Sequence, residues 1–211
     1  GNLAQRLVQW SPTQNSLVLP NDIHFRHVVN LMGEPIAEGR WTAAKKKRIY
    51  DSRVIGTRKL VDGLLATRKP PEVFVSTSAI GIYGNSGEVV VDEDHPTAND
   101  LFKSDLCNAW EAEAMRLAKH GTRVVCLRLG IVLGDGGGAL EKMLPIFKLG
   151  IGGNLGSGKQ WMSWIHIDDL VNLINWSLSN GQVTGPINAT APNPVRNSEF
   201  TKALASAVNR P

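Results

Sequence analysis

The chain has 211 residues, enough for one α/β domain with a sizeable core, or one domain and part of a second. Hydrophobic residues make up 42% and charged residues 20%, an ordinary globular composition, and no run approaches the ~18 apolar residues of a membrane span. The net charge of +4 owes much to Lys45-Lys46-Lys47-Arg48; with no aromatics interleaved, that run reads as a solvated helix face and not as a nucleic-acid site.

Taken in order, Leu7-Val8-Gln9-Trp10 reads as a short strand, followed by an irregular polar stretch. Residues 27–31 form a buried strand that ends at Met32-Gly33-Glu34-Pro35. Thr42 caps a helix that begins at Ala43 and runs through Ile49, Val54 and Leu60 to Leu65, with apolar residues at helical spacing. A strand starts at Val73, bounded upstream by Pro70-Pro71. A loop over 85–99 leads to a second helix, 101–120, with Trp110, Ala114 and Leu117 on one face and Gly121 at its end. Residues 122–129 are the next strand, closed by Gly130. Strand, helix, strand, helix, strand argues for a parallel sheet covered by helices.

Beyond it, residues 134–138 are a flexible break and 139–149 a short helix. The glycine-rich stretch 150–158 does not follow a strand and open a helix, so it is a weak phosphate loop. Residues 160–167 carry Trp161, Trp164 and His166; Asp168-Asp169 are read as the cap of helix 170–179. A short strand spans 187–190, and Ser198 is read as the cap of the last helix. Cys107 and Cys126 fit no metal spacing and read as free thiols in a reducing compartment. No leader is visible at Gly1, although that start need not be the native one.

The stretch with chemical promise is Val73 to Gly84, VFVSTSAIGIYG. In an open parallel sheet, ligands bind just past the carboxyl ends of the strands. Ser76, Thr77 and Ser78 fall at such an end, where small side chains let a flat cofactor approach and hydroxyls can bond a substrate oxygen. The alternative is a serine-rich turn with no chemistry. His166 suits a general base or a structural residue bonding backbone, and Trp161 and Trp164 a pocket floor or a packed junction. Arg128 and Arg196 suit an anion or turn carbonyls.

Several separated stretches carry a resemblance: residues 29–36 (VNLMGEPI), the 78–84 turn, 128–134 (RLGIVLG), 156–160 with 164–169 (GSGKQ and WIHIDD), and 191–196 (APNPVR). Together they resemble an extended short-chain dehydrogenase/reductase. More specifically, they resemble the NAD-dependent epimerase/dehydratase-like branch that includes bacterial and plastid proteins once labelled cell-division inhibitors. The last stretch is most similar to plant and cyanobacterial members. The resemblance implies a Rossmann-like doubly wound parallel sheet, lacking its first β-α-β unit, with the start of a small C-terminal substrate-side segment. Residues 1–150 would be the incomplete nucleotide-binding domain, and 151–211 the substrate-side segment interleaved with the last strands and helices. It implies NADP or NAD stacked along Asn30, Leu31 and Gly33, Ser76 and Thr77, and Leu129, Gly130 and Ile131. Ser78 would orient the substrate; Trp164, His166 and Arg196 would contact it.

Two departures accompany the matches. The family opens with a strand, a glycine-rich turn and a helix that holds the pyrophosphate, and that unit is absent from these residues. Removing the middle strand of the order 3-2-1-4-5-6 is expected to leave two inner edges unpaired. The wider superfamily also transfers protons with a tyrosine and a lysine four residues on. Here Lys103 and Cys107 stand at those positions, which leaves Tyr83 as the nearby phenol that could substitute. The expected activity is that of an NAD(P)-binding oxidoreductase or epimerase-like protein on a small hydroxyl or carbonyl compound; a non-catalytic subunit of a larger assembly is the alternative. Dinucleotide and other subunits are the expected partners. The plant-like ending points to a chloroplast stroma, with cytoplasm or mitochondrial matrix as alternatives.

Overall fold

In a computed structural model of the chain, residues 10–11, 17–19, 24–99 and 101–210 are described. The strand read over residues 7–10 lies outside them except for Trp10, which is in no regular element. Four parallel strands form the central sheet: β1 (His27–Asn30), β2 (Val73–Ala79), β3 (Arg123–Leu129) and, after three short strands, β7 (Gly185–Ala189), in the order β1-β2-β3-β7. These four neighbour one another without a gap. The expectation of two facing unpaired edges is therefore corrected: among the described residues the free edges are the outer sides of β1 and β7. The four strands make up one contiguous half of a doubly wound sheet. On β1, Val29 is 38% exposed, and Leu31 just beyond is 62% exposed, so this outer edge is apolar as well as open.

Side chains alternate along β2 and divide it between two helical layers. Val73 and Val75 face α5 (Ile167–Ser179) and join Val125, Leu127, Ile165 and Leu170 in one core. Phe74, wholly buried, faces the other way. It packs with Val61 and Leu64 of α2 (Gly56–Leu65) and Ala114 of α3 (Phe102–Met115). Helices on both faces explain why β2 and β3 read as continuous apolar runs.

The helix expected over 43–65 is present, with Thr42 Oγ1 accepting from the Lys45 N–H at 3.2 Å. It is not uniform, however. α1 (Ala43–Tyr50) and α2 are joined by a π-helical turn, Asp51–Ile55. The basic run on α1 is not simply a solvated face. Lys45 is buried with its Nζ 2.8 Å from Glu34 Oε1, and Arg48 also reaches Glu34 at 3.3 Å. Glu34's pKa is lowered by the bond from Lys45 first and Arg48 second.

At Gly130 the chain leaves the central sheet. β4 (Ile131–Leu133) pairs with β6 (Trp164–His166), and β5 (Trp161–Met162) pairs with β8 (Val195–Arg196). Two expected caps are corrected. His166, not the aspartates, caps α5: its Nδ1 accepts from the Asp168 N–H at 3.2 Å, while Asp168 and Asp169 sit in the first turn and suit the helix dipole. Arg196, not Ser198, stands at the cap of α6 (Asn197–Ala207), and Glu199 reaches back to accept its N–H at 2.8 Å. α6 and α4 (Gly138–Lys148) share a small separate core of Phe147, Leu204 and Ala205.

Candidate functional site

The carboxyl ends of β1, β2 and β3 lie side by side, with Asn30 opposite Ser76, Ser78 opposite Arg128, and Ala79 opposite Leu129. The residues expected around one groove are thus brought to one edge of one sheet. Asn30 is 1% exposed and spends its amide on the fold: Nδ2 donates to Thr57 Oγ1 at 2.9 Å and Ser76 Oγ at 3.1 Å, and Oδ1 accepts from the Met32 N–H. Thr57 in turn accepts from Trp110 Nε1. Thr77 Oγ1, on the opposite face, donates to the Asn30 carbonyl at 3.2 Å. These bonds lock β1 to β2 and fix where the chain emerges at Leu31 and Gly33.

Ser78 differs. Among the described residues, its hydroxyl oxygen is the one fully buried side-chain polar atom without a hydrogen-bond partner. Cys107 of α3 lies against it, without the geometry of a conventional hydrogen bond. Burial first, and Glu111 second, push the Cys107 thiol up to about 11, so it is neutral and supplies no charge at physiological pH. An orphaned buried hydroxyl is costly in a protein without a ligand and useful in one that binds a polar atom there.

Tyr83 closes this end. Its hydroxyl donates to Asn188 Oδ1 at 2.7 Å and accepts from Arg128 Nη1 at 2.7 Å. Arg128 Nε and Nη2 form a two-pronged pair with Glu111, both at 3.0 Å. Glu93, from the 85–99 loop, accepts the Asn188 N–H at 2.6 Å. Burial opposes the charge on Arg128, but its bonds to Glu111 and Tyr83 outweigh that and raise its pKa. The network ties loop, α3, β3 and β7 together. Its partners are 17 to 105 residues apart, and nothing local in the sequence signals them.

Gly130 is there because of crowding. A β-carbon on it would stand 2.7 Å from the Ser163 carbonyl oxygen and 3.0 Å from Thr190 Cγ2. Leu129 and Ile131 flank it, half-buried. Gly33 is crowded by one side chain: its β-carbon would lie 2.8 Å from the Arg53 guanidinium carbon.

Trp164 is half-buried in β6, on the strand that adjoins the groove through β4, while the His166 ring is half-exposed and occupied as a helix cap. Arg196 lies further out: its guanidinium stacks 3.8 Å from the Trp161 ring centre, and it bonds the Lys159 carbonyl and Glu88, the latter at 2.5 Å. Lys103 points to solvent, its ammonium 5.9 Å from the Trp41 ring centre. A hollow of about 200 Å³ between Leu17 and Lys59, Asp62, Gly63 and Ala66 lies along α2 and includes none of these residues. Among the described residues no cluster of His, Cys, Asp and Glu is placed to hold a metal, and no helix is long and apolar enough to cross a membrane.

The fold leaves the Ser78 hydroxyl unbonded and out of reach of solvent at this edge, which suits a polar atom of a ligand, while the spaces over Gly33 and Gly130 are filled by Arg53 and by Ser163 and Thr190. The described residues do not include the glycine-rich turn that would hold a pyrophosphate.

A parallel half-sheet with helices on both faces is that of a Rossmann-like protein. Comparison with known proteins makes the assignment specific: residues 10–189 match the NAD dependent epimerase/dehydratase family, and the chain belongs to it. It is 47% identical over 188 residues to the chloroplastic epimerase family protein SDR39U1 homolog of Arabidopsis thaliana, covering 87% of this chain and 53% of the relative. It is 39% identical over 207 residues to mouse epimerase family protein SDR39U1, covering 97% and 69%. A crystal structure of human SDR39U1 (isoform 2) with NADPH superposes with a TM-score of 0.85 at 37% identity, covering 92% of this chain and 65% of that one. The chain thus spans about half to two thirds of the length of these relatives.

Proposed function

We propose that this chain forms the nicotinamide-side wall of an NADP(H) site in an epimerase-family protein that acts on a small hydroxyl or carbonyl compound. The observation that carries this reading is the buried, unpartnered Ser78 hydroxyl at the carboxyl edge of β2, where an open parallel sheet binds its ligand. The human relative's structure with NADPH supports the choice of dinucleotide. When bound, the dinucleotide would supply hydride transfer. The chain's own residues bind, orient and exclude water. Asn30, Leu31 and Gly33 shape one flank, Ser76 and Thr77 the floor, and Leu129, Gly130 and Ile131 the other flank. Ser78 donates to a substrate oxygen. Tyr83 backs the site from the 80–84 turn, and Trp164, with His166 and Arg196 further out, lies on the substrate side. Residues 1–150 are read as the nucleotide-binding part and 151–211 as the substrate-side part, although β7 belongs to the central sheet and α5 packs on it. The chloroplastic Arabidopsis relative favours a plastid location.

One observation favours a second reading, in which the protein binds dinucleotide without turning a substrate over. The Cys107 thiol is neutral where the superfamily keeps a lysine, and Tyr83's hydroxyl is already bonded on both sides. Titration with NADPH and NADH, followed by nicotinamide fluorescence and thermal shift, tests the shared core of both readings. Saturable binding with a raised melting temperature is expected. No shift at millimolar concentrations of either nucleotide removes both.

A further inference from the structure

The site lacks the cation that the superfamily's lysine would supply, because Cys107 stands at that position. Arg53 brings a different cation close to Cys107. It lies on the π-helical turn Asp51–Ile55, a helix distortion found often at functional sites. Its guanidinium packs against the backbone of Gly33, so close that a β-carbon there would meet it at 2.8 Å. On its other side it faces the Trp110 ring, 5.3 Å from the ring centre. Its Nη1 donates to the Glu34 carbonyl at 3.0 Å, the one hydrogen bond it makes among the described residues. A guanidinium has five N–H donors, so most are uncommitted. Among the described residues no carboxylate pairs with it, whereas Lys45 and Arg48 on α1 both share Glu34. It is half-buried and close enough to Cys107 for each to influence the other's ionisation.

We infer that Arg53 supplies the positive charge at the nicotinamide end of the groove in place of the lysine replaced by Cys107, its free N–H groups bonding a ribose or phosphate oxygen of the dinucleotide. Burial pulls Arg53's pKa below the ordinary arginine value, as expected for a cation kept partly desolvated without a carboxylate partner. Gly33 then has a defined purpose: it leaves the space that the guanidinium occupies. The charge is delivered from the helix after β1, not from α3. Arg53 lies on the π turn, where the helical register shifts by a residue, and its guanidinium sits between Gly33 and Trp110. This inference rests on the dinucleotide reading above.

The test is NADPH titration of the full chain and of Arg53→Met, Arg53→Lys and Gly33→Ala, each also melted without ligand. Met keeps the stem on Trp110 and removes the charge, Lys restores the charge, and Gly33→Ala moves only the end of a flexible side chain. The inference expects Arg53→Met to weaken NADPH binding about tenfold or more, Arg53→Lys to recover most of that loss, and Gly33→Ala to weaken binding with an unchanged ligand-free melt. Arg53→Met binding within about twofold of wild type overturns it, as does Arg53→Lys binding as weakly as Met in a normally folded protein. If Arg53→Met does not fold, Gly33→Ala decides by the same criterion. Wild-type protein that binds no NADPH is a different failure, that of the dinucleotide reading itself, and the Arg53 role falls with it.

Discussion

Tyr83→Phe separates a structural phenol from a catalytic one. The substitution keeps the ring in its pocket with Ile82 and Cys107 and removes one oxygen. That oxygen makes two hydrogen bonds of 2.7 Å, one from the charged Arg128 and one to Asn188. A bond to a charged group contributes about 1.5–3 kcal/mol and a neutral one about 0.5–1.5 kcal/mol. Arg128 keeps its two bonds to Glu111, so its charge stays paired, and the main orphan is Asn188 Oδ1. The expected loss is therefore about 2–3 kcal/mol. For a chain of this size that corresponds to a fall in melting temperature of about 5–10 °C. Thermal and urea unfolding, followed by circular dichroism, measure it, and an unchanged urea slope would show that the same surface is exposed. A melt within about 1 °C of wild type would refute the structural account. Turnover lost without any loss of stability would instead make Tyr83 the proton donor.

Three further substitutions or titrations follow from the same geometry. Gly130→Ala forces a β-carbon against the Ser163 carbonyl and Thr190, so it should destabilise by about 1–3 kcal/mol, read from the urea midpoint. Ser78→Ala removes an unsatisfied hydroxyl, so the ligand-free protein should be no less stable, and up to about 1 kcal/mol more so, while substrate or dinucleotide binding weakens; a clear loss of ligand-free stability would mean that the hydroxyl has a partner in the fold. Both thiols are raised by burial first and Glu111 second, Cys107 to about 11 and Cys126 to about 12. Folding thus favours their protonated forms. That contribution is complete below the ordinary thiol pKa and is lost as pH rises through 11 to 12, so stability should fall from about pH 9 upward. The same burial predicts that neither thiol is alkylated in the native state at neutral pH, and labelling followed by mass spectrometry would reveal otherwise.

The parts legible in the sequence are those set by short-range rules. Thr42 caps its helix because a hydroxyl reaches an N–H three residues on. The alternation of Val73, Phe74 and Val75 onto two faces follows from strand geometry, and Gly121 ends its helix with φ at +82°. The order of strands and helices led directly to the parallel sheet. Features that depend on long-range partners were not legible. Lys45 looked like part of a solvated run because its partner Glu34 lies in the preceding loop. Arg128 looked free to meet an anion because Glu111 and Tyr83 come from other elements. His166 replaced the aspartates as a cap because its ring nitrogen, held at the end of β6, reaches the helix first. Arg53 carried no signal at all: a uniform helical spacing places it by a 3.6-residue period, and the π turn breaks that period at that point.

These placements narrow the chemistry at the strand ends. Lys103 is turned to solvent, the Cys107 thiol is too weak an acid to ionise and carries no charge, and the Tyr83 hydroxyl already donates its proton to Asn188. On the reading proposed above, the groups left to meet a ligand are the Ser78 hydroxyl and the Arg53 guanidinium. Together they can orient and polarise an oxygen, and neither is a good proton reservoir near neutral pH. A reaction completed here would take its proton from water relayed through Ser78. Its rate should then show a solvent isotope effect that Ser78→Ala abolishes. Tyr83→Phe would leave that effect unchanged once the loss of folded protein is taken into account. An isotope effect that disappears with Tyr83→Phe and survives Ser78→Ala would reverse the assignment and return the proton to the phenol.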